Sequence, residues 1–228
     1  FATKPQRYVT VFTIQGNEEA NQTITFKLYD HSGNTPESLM PLESDYTVNF
    51  EVNGVIGREN PITINFACPI AQIKETEEYF YTLADAVEEA LNNQTITLLS
   101  NAEGKGIVIN KSLTIDFGGF AYTFVSPAVG STGTQTQGFQ ILKDNTVTLK
   151  NGTLNVAEDA RTAFAMLIQN YADLTITDMT LDGDHLDRNN YSYVLSVNCG
   201  NVLINGSTSI LANEVEGENH FAFDSYDY

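Results

Sequence analysis

The chain has no tryptophan, two cysteines, three histidines, and 11 basic residues against 29 acidic ones in a length of 228. Each shortage excludes a class of function. Cys68 and Cys199 stand 131 residues apart with no CxxC pair or histidine cluster beside them, so neither a zinc site nor a redox motif is readable. They are expected to be buried, unpaired thiols. A net charge of -18 would repel a phosphate backbone over most of the surface, which excludes nucleic acid as a partner. No apolar run reaches about 18 residues, so no membrane-spanning helix is expected. The absence of tryptophan removes the largest side chain for stacking on sugars. A chain that starts with phenylalanine rather than methionine is expected to be a processed or excised piece of a larger protein.

What is present is repetition. Leu113-Thr-Ile-Asp, Val147-Thr-Leu-Lys, Leu174-Thr-Ile-Thr and Val202-Leu-Ile-Asn are variants of one strand. With Ile115, Leu149, Ile176 and Ile204 as register, the intervals are 34, 27 and 28 residues. One apolar position per face per interval describes a coiled solenoid. A second apolar set precedes the register residues at Ile107 and Ile109, Ile141 and Leu142, Leu167 and Ile168, and Leu195 and Val197. A third follows at Phe120, Leu154 and Leu181, with Ile210 as the nearest substitute where Ser209 breaks it. Three short strands per turn, joined at Gly118-Gly119, Asn151-Gly152 and Asn205-Gly206, predict a right-handed parallel β-helix.

The stretch before the repeat has a different texture. Tyr8–Ile14, Gln22–Tyr29, Tyr46–Val52 and Pro61–Phe66 alternate apolar and polar residues between turn signals, as antiparallel strands of a small sandwich-like module do. Four strands are few for a free-standing sandwich, so the module is expected to be incomplete. Residues 1–74 are assigned to it and residues 75–228 to the β-helix. A helix is predicted over 82–91, with Thr82 as cap, Asp85 three residues on, and Leu83, Ala86, Val87, Ala90 and Leu91 on one face. That face is expected to cover the open first coil, since an uncovered solenoid end exposes its core.

The run Tyr81-Thr-Leu-Ala-Asp-Ala-Val-Glu-Glu-Ala, then Thr95-Ile-Thr-Leu-Leu, then Ile107-Val-Ile-Asn-Lys-Ser-Leu-Thr-Ile-Asp-Phe-Gly-Gly resembles the entry into pectate-lyase-like β-helices of bacterial cell-surface proteins. The likeness covers roughly residues 79–228. The leading module, with Ile14-Gln-Gly-Asn-Glu, Ile24-Thr-Phe-Lys-Leu-Tyr-Asp and Asn60-Pro-Ile-Thr-Ile-Asn-Phe, is similar to Ig-like modules of Bacteroides-type surface proteins. The two resemblances imply an extracellular or cell-surface location.

Enzymes of this scaffold need paired carboxylates, or calcium-binding acids with a basic proton acceptor. Asn145-Thr-Val, Thr177-Asp-Met and Gly183-Asp-His supply no such acid and base pair, and the outward neighbours Asp116, Lys150, Thr177 and Asn205 share no chemistry. The densest acidic stretch runs from Asp182 to Asn189. Asp182, Asp184 and Asp187, with Asn189, are its candidate oxygen ligands for calcium, although the spacing departs from an EF-hand loop. His185 beside them is a candidate base, whereas His31 and His220 have no partner the sequence can name. Tyr191, Tyr193, Phe221, Phe223, Tyr226 and Tyr228 crowd the last third, either as sugar-stacking residues or as core and end cover. The expectation is therefore an all-β, non-enzymatic, adhesin-like surface protein with no assigned catalytic residue. Its β-helix face would contact a host or matrix protein or a polysaccharide. The alternative is a polysaccharide lyase or glycoside hydrolase on the same scaffold.

Overall fold

The computed structural model describes residues 23–29, 41–49, 62, 64, 66–187, 191–213 and 219–227. The chain divides into two compact units between Ala67 and Cys68. In the first, β1 (Thr23–Tyr29) pairs antiparallel with β2 (Pro41–Asn49), and β2 with β3 (Phe66–Ala67). The predicted strand at residues 8–14 lies outside the described residues.

The second unit opens with β4 (Ala71–Ile73) and β5 (Glu78–Phe80), which pair antiparallel. Helix α1 (Leu83–Glu89) follows. Because β4 also pairs antiparallel with β6 (Gln94–Leu98), residues ahead of the expected boundary at position 74 belong to the solenoid sheet. The Thr82 hydroxyl accepts the Asp85 N–H at 3.0 Å and starts the helix. Leu83, Ala86, Val87 and Ala90 are buried, and the helix packs on β4, β5 and β6. Leu91 does not share that face. Ala90 leaves the helical region with ψ 140°, and Leu91 turns out to solvent.

From β6 the chain winds into a parallel β-solenoid of about four turns. The first coil is β6, β7 (Ala102–Gly104) and β8 (Ile107–Ile109), and the second is β9 (Leu113–Asp116), β10 (Ala121–Phe124) and β11 (Gln137–Ile141). In the third and fourth coils two faces merge into single long strands. These are β12 (Thr146–Val156) before β13 (Met166–Asn170), and β14 (Asp173–Asp182) before β15 (Ser192–Asn198). The last rung is β16 (Asn201–Asn205), β17 (Ser209–Leu211) and β18 (His220–Tyr226).

The register confirms the repeat. Ile96, Ile115, Leu149, Ile176 and Ile204 form one ladder, with Leu113, Val147, Leu174 and Val202 beside it. Between them the outward residues Thr95, Thr114, Thr148 and Thr175 stack as a row that ends in Leu203. β-Branched neighbours at one pleat position suit a pleated surface.

On the second face the ladder is Ala102, Tyr122, Leu154, Leu181 and Ile210. Tyr122, not the expected Phe120, holds the second-coil position. The Phe117–Phe120 turn adds two residues relative to the corner at Asn151-Gly152, so the inward position moves along by two. Asn151, Asp178 and Gly206 stack at that corner with φ of 60°, 54° and 61°, one left-handed residue per coil. Gly206 is required doubly, since an added Cβ would meet the Asp178 carboxylate that accepts the Ser207 N–H.

The third face stacks Ile107, Phe139, Ile168, Leu195 and Phe223, then Ile109, Ile141, Asn170, Val197 and Ser225. Backbone pairing is interrupted at Gly138, Leu167, Val194 and Ala222, and the two-residue alternation breaks there. Leu167 and Ile168, and Val194 and Leu195, are consecutive yet all buried. Asn170 enters between Ile141 and Val197 because its amide is satisfied. It donates to the carbonyls of Ala172 and Asn201 at 3.0 Å and accepts the Ala172 N–H at 3.1 Å.

Tyr122, Phe124, Phe139 and Phe164 form an aromatic centre, with Phe124 edge-on to Tyr122 at 5.1 Å and to Phe139 at 5.0 Å. The Tyr122 hydroxyl donates to the Lys105 carbonyl at 3.1 Å, and burial pushes the phenol above its ordinary range. Gly104 makes room for it, because a Cβ there would strike that hydroxyl. Gly104→Ala is expected to cost ~1–3 kcal/mol by overpacking, and Tyr122→Phe ~1 kcal/mol through the lost hydrogen bond. In a double-mutant cycle by urea unfolding, the combined variant loses less than the sum. Strict additivity would count against the contact.

Candidate functional site

The sheet of β8, β11, β13, β15 and β18 carries the most distinctive outer surface of the second unit. In its parallel, in-register pairing, side chains at equivalent positions of successive rungs lie about 4.8 Å apart along the hydrogen-bonding direction. Met166, Tyr193 and Phe221 occupy one such outer row on β13, β15 and β18. Tyr193 and Phe221 stack with ring centroids 5.4 Å apart and planes 17° off parallel. Tyr191, just ahead of β15, adds a third ring at 6.4 Å from Phe221 and 2° off parallel. Tyr191 is 59% exposed and Phe221 41%. A ledge of parallel rings stands open to solvent.

The backbone holds that ledge from both sides. The Ser192 N–H donates to the Asn219 carbonyl at 3.0 Å and the Tyr193 N–H to the Ala165 carbonyl at 2.9 Å. The Ser192 hydroxyl meets His220 Nδ1 across the neighbouring row, which ties the starts of β15 and β18 together. His220 is thereby engaged next to the rings.

Tyr191, Tyr193, Phe221, Phe223 and Tyr226 were legible as an aromatic cluster together with Tyr228, which lies outside the described residues. Their side of the sheet was not, because the interrupted alternation at Val194 and Ala222 defeats a count by twos. Phe223 continues the inward ladder of Leu195, and in the last rung it is 45% exposed. Tyr226 is 53% exposed at the far end of β18.

The acidic stretch resolves differently. The Asp182 carboxylate accepts the Asp184 N–H at 3.0 Å, a local turn contact. Asp184 lies 3.9 Å from His185 Nε2, and the Asp184 carbonyl accepts from the Asn213 amide. Asp187 is buried, and its N–H donates to the Phe164 carbonyl at 2.8 Å. Among the described residues no three His, Cys, Asp or Glu side chains gather closely enough to hold a metal ion. Asn189 and His31 lie outside the described residues.

Both cysteines are free, but they are exposed, contrary to the buried thiols expected. Cys199 sits at a corner with φ 54°, and that left-handed turn carries its side chain outward.

Asp116 and Lys150, read in the sequence as unrelated, pair across neighbouring rungs at 3.1 Å. Partial burial pushes the Asp116 carboxyl up. Hydrogen bonds from the Asn151 amide and the Gly118 N–H, together with the Lys150 ammonium, outweigh it and hold the group below the ordinary aspartate range. Glu75 is likewise held low, chiefly by the Thr95 N–H at 2.9 Å. These displaced acids brace strands and corners. No family model, curated protein or solved structure matches the chain.

A carboxyl with a depressed folded-state pKa stabilises the fold above its unfolded value, near 4, and the gain is lost as pH falls through the folded value. Asp116→Asn is therefore expected to be less stable than the parent at pH 7 and to lose less on acidification below about pH 4. Urea midpoints measured against pH for both proteins check this; parallel curves would remove Asp116 from the account.

Proposed function

We propose that this is a non-enzymatic, adhesin-like surface protein that binds glycans on the outer face of its solenoid. The observation that carries the reading is the ledge of Tyr191, Tyr193 and Phe221. Its ring faces are apolar, its tyrosine hydroxyls can hydrogen-bond, and stacked aromatic planes match the C–H faces of pyranose rings. On the first sheet one outward row repeats threonine and its neighbour runs Thr97, Asp116, Lys150, Thr177 and Asn205, which offers no repeated acid and base pair for glycoside chemistry.

The net charge of -18 favours neutral glycans over sulfated or uronic ones. No helix among the described residues is long and apolar enough to cross a membrane. An extracellular or cell-surface setting follows from the likeness of the sequence motifs to pectate-lyase-like β-helices and Bacteroides-type Ig-like modules, and forms part of the proposal.

A glycan array of neutral, sulfated and uronic-acid oligosaccharides, with matrix proteins spotted alongside, tests it. Neutral glycans are the expected ligands. Tyr191→Ala and Phe221→Ala should each weaken binding about 2- to 10-fold, the worth of one aromatic contact at ~0.5–1.5 kcal/mol. Binding confined to matrix proteins, or untouched by both substitutions, would refute the glycan ledge.

A further inference from the structure

The opposite edge of the same sheet ends at β8, where an open cleft of about 430 Å³ lies between that strand, α1 and the segment around Pro127 and Val129. We infer that this cleft accepts an extended, acidic peptide segment of a partner protein, added as a strand along β8.

The backbone supports the inference first. In a parallel ladder the N–H and C=O of one residue point to the same side, and those of the next residue to the other. The Ile109 carbonyl accepts the Leu142 N–H on the β11 side at 2.9 Å, and Ile107 and Ile109 are paired with Phe139 and Ile141. The Val108 N–H and C=O therefore point away from β11, along the edge that lines the cleft. No described residue bonds them. By contrast β6, in the first sheet, has its corresponding edge covered by β4. A free edge of three residues between two walls is the geometry that strand addition uses, with main-chain bonds giving affinity and flanking pockets giving selectivity.

The side chains then select the occupant. Val108, 39% exposed, with Ala84, Val87, Pro127 and Val129, provides apolar contact. In a chain with 11 basic residues, Lys105 and Lys111 both line this cleft, against one acid, Glu88. Lys111 is fixed there, since its ammonium donates to the Glu88 and Ala90 carbonyls at 2.7 and 2.8 Å where α1 ends. Lys105 is exposed at the mouth. Positive charge beside a bare strand edge favours an incoming strand bearing carboxylates over one bearing ammonium groups.

The test uses the 15N-labelled 228-residue chain and two capped pentapeptides that alternate valine with glutamate or valine with lysine. The glutamate peptide is expected to shift the Val108 and Asn110 amide resonances and to slow hydrogen exchange at Val108. The lysine peptide should bind about 2- to 5-fold more weakly, the worth of an exposed ion pair. Lys105→Glu, at an exposed position, should reverse that preference, and Val108→Pro should abolish addition by deleting the edge N–H. Four results would overturn the inference. Silence at Val108 with millimolar peptide would leave the lysines as guards of a bare edge, and equal binding of the two peptides would remove charge selection. An unchanged preference in Lys105→Glu would place selection elsewhere. Val108 shifts that grow with protein concentration alone would make a second copy the occupant.

Discussion

Every feature of the solenoid depends on in-register stacking between coils. A single turn cannot bury its own faces; each rung is dry only because the next one lies on it. The ladders through Ile115, Leu149 and Ile176, through Tyr122, Leu154 and Leu181, and through Phe139, Ile168 and Leu195 are three expressions of that constraint. Insertions are confined to the corners, where extra residues leave the register intact. The two-residue excess at Phe117–Phe120 is such a case, and Tyr122 with Gly104 is the local repacking that accompanies it. The first sheet's N-terminal edge is closed by β4, while α1 rests on β4, β5 and β6.

This explains what the sequence made legible. Ladder positions repeat as apolar residues at nearly constant intervals, so the solenoid, its four register strands and the Thr82-capped helix could be read directly. Positions governed by corners and bends could not. Phe120 looked inward by count, but the longer turn transferred that role to Tyr122. Phe139 was passed over in favour of its neighbours because the alternation breaks at Gly138. Asn170, polar in sequence, is fully buried because the next corner supplies its partners. The candidate site was half legible for the same reason: its aromatic composition was plain, and its outward orientation depended on a bend no periodicity reveals.

Division of labour follows from the architecture. Inward positions are bound to their neighbours above and below, whereas outward positions are free to differ from rung to rung. The five-stranded sheet uses that freedom at both edges, with rings on β15 and β18 at one and cationic side chains around β8 at the other. Four strand steps separate these edges, about 19 Å at the usual spacing. The two surfaces can thus be altered independently, since neither shares a ladder residue with the other.

A chain built from near-identical strands faces the hazard of joining coils in the wrong order, because a slip by one repeat still places isoleucine on leucine. Asn170 marks one rung as different. Its equivalents are Ile109, Ile141, Val197 and Ser225, and its amide is satisfied by main-chain groups of Ala172 and Asn201. Two of its three hydrogen bonds are to Ala172, two residues on in the same chain, and only the bond to the Asn201 main-chain carbonyl depends on which coil lies beyond, at ~1 kcal/mol. The polar side chain in the middle of the row thus acts as a bookmark, tying the third coil to a later corner where Gly200 leaves room for its amide.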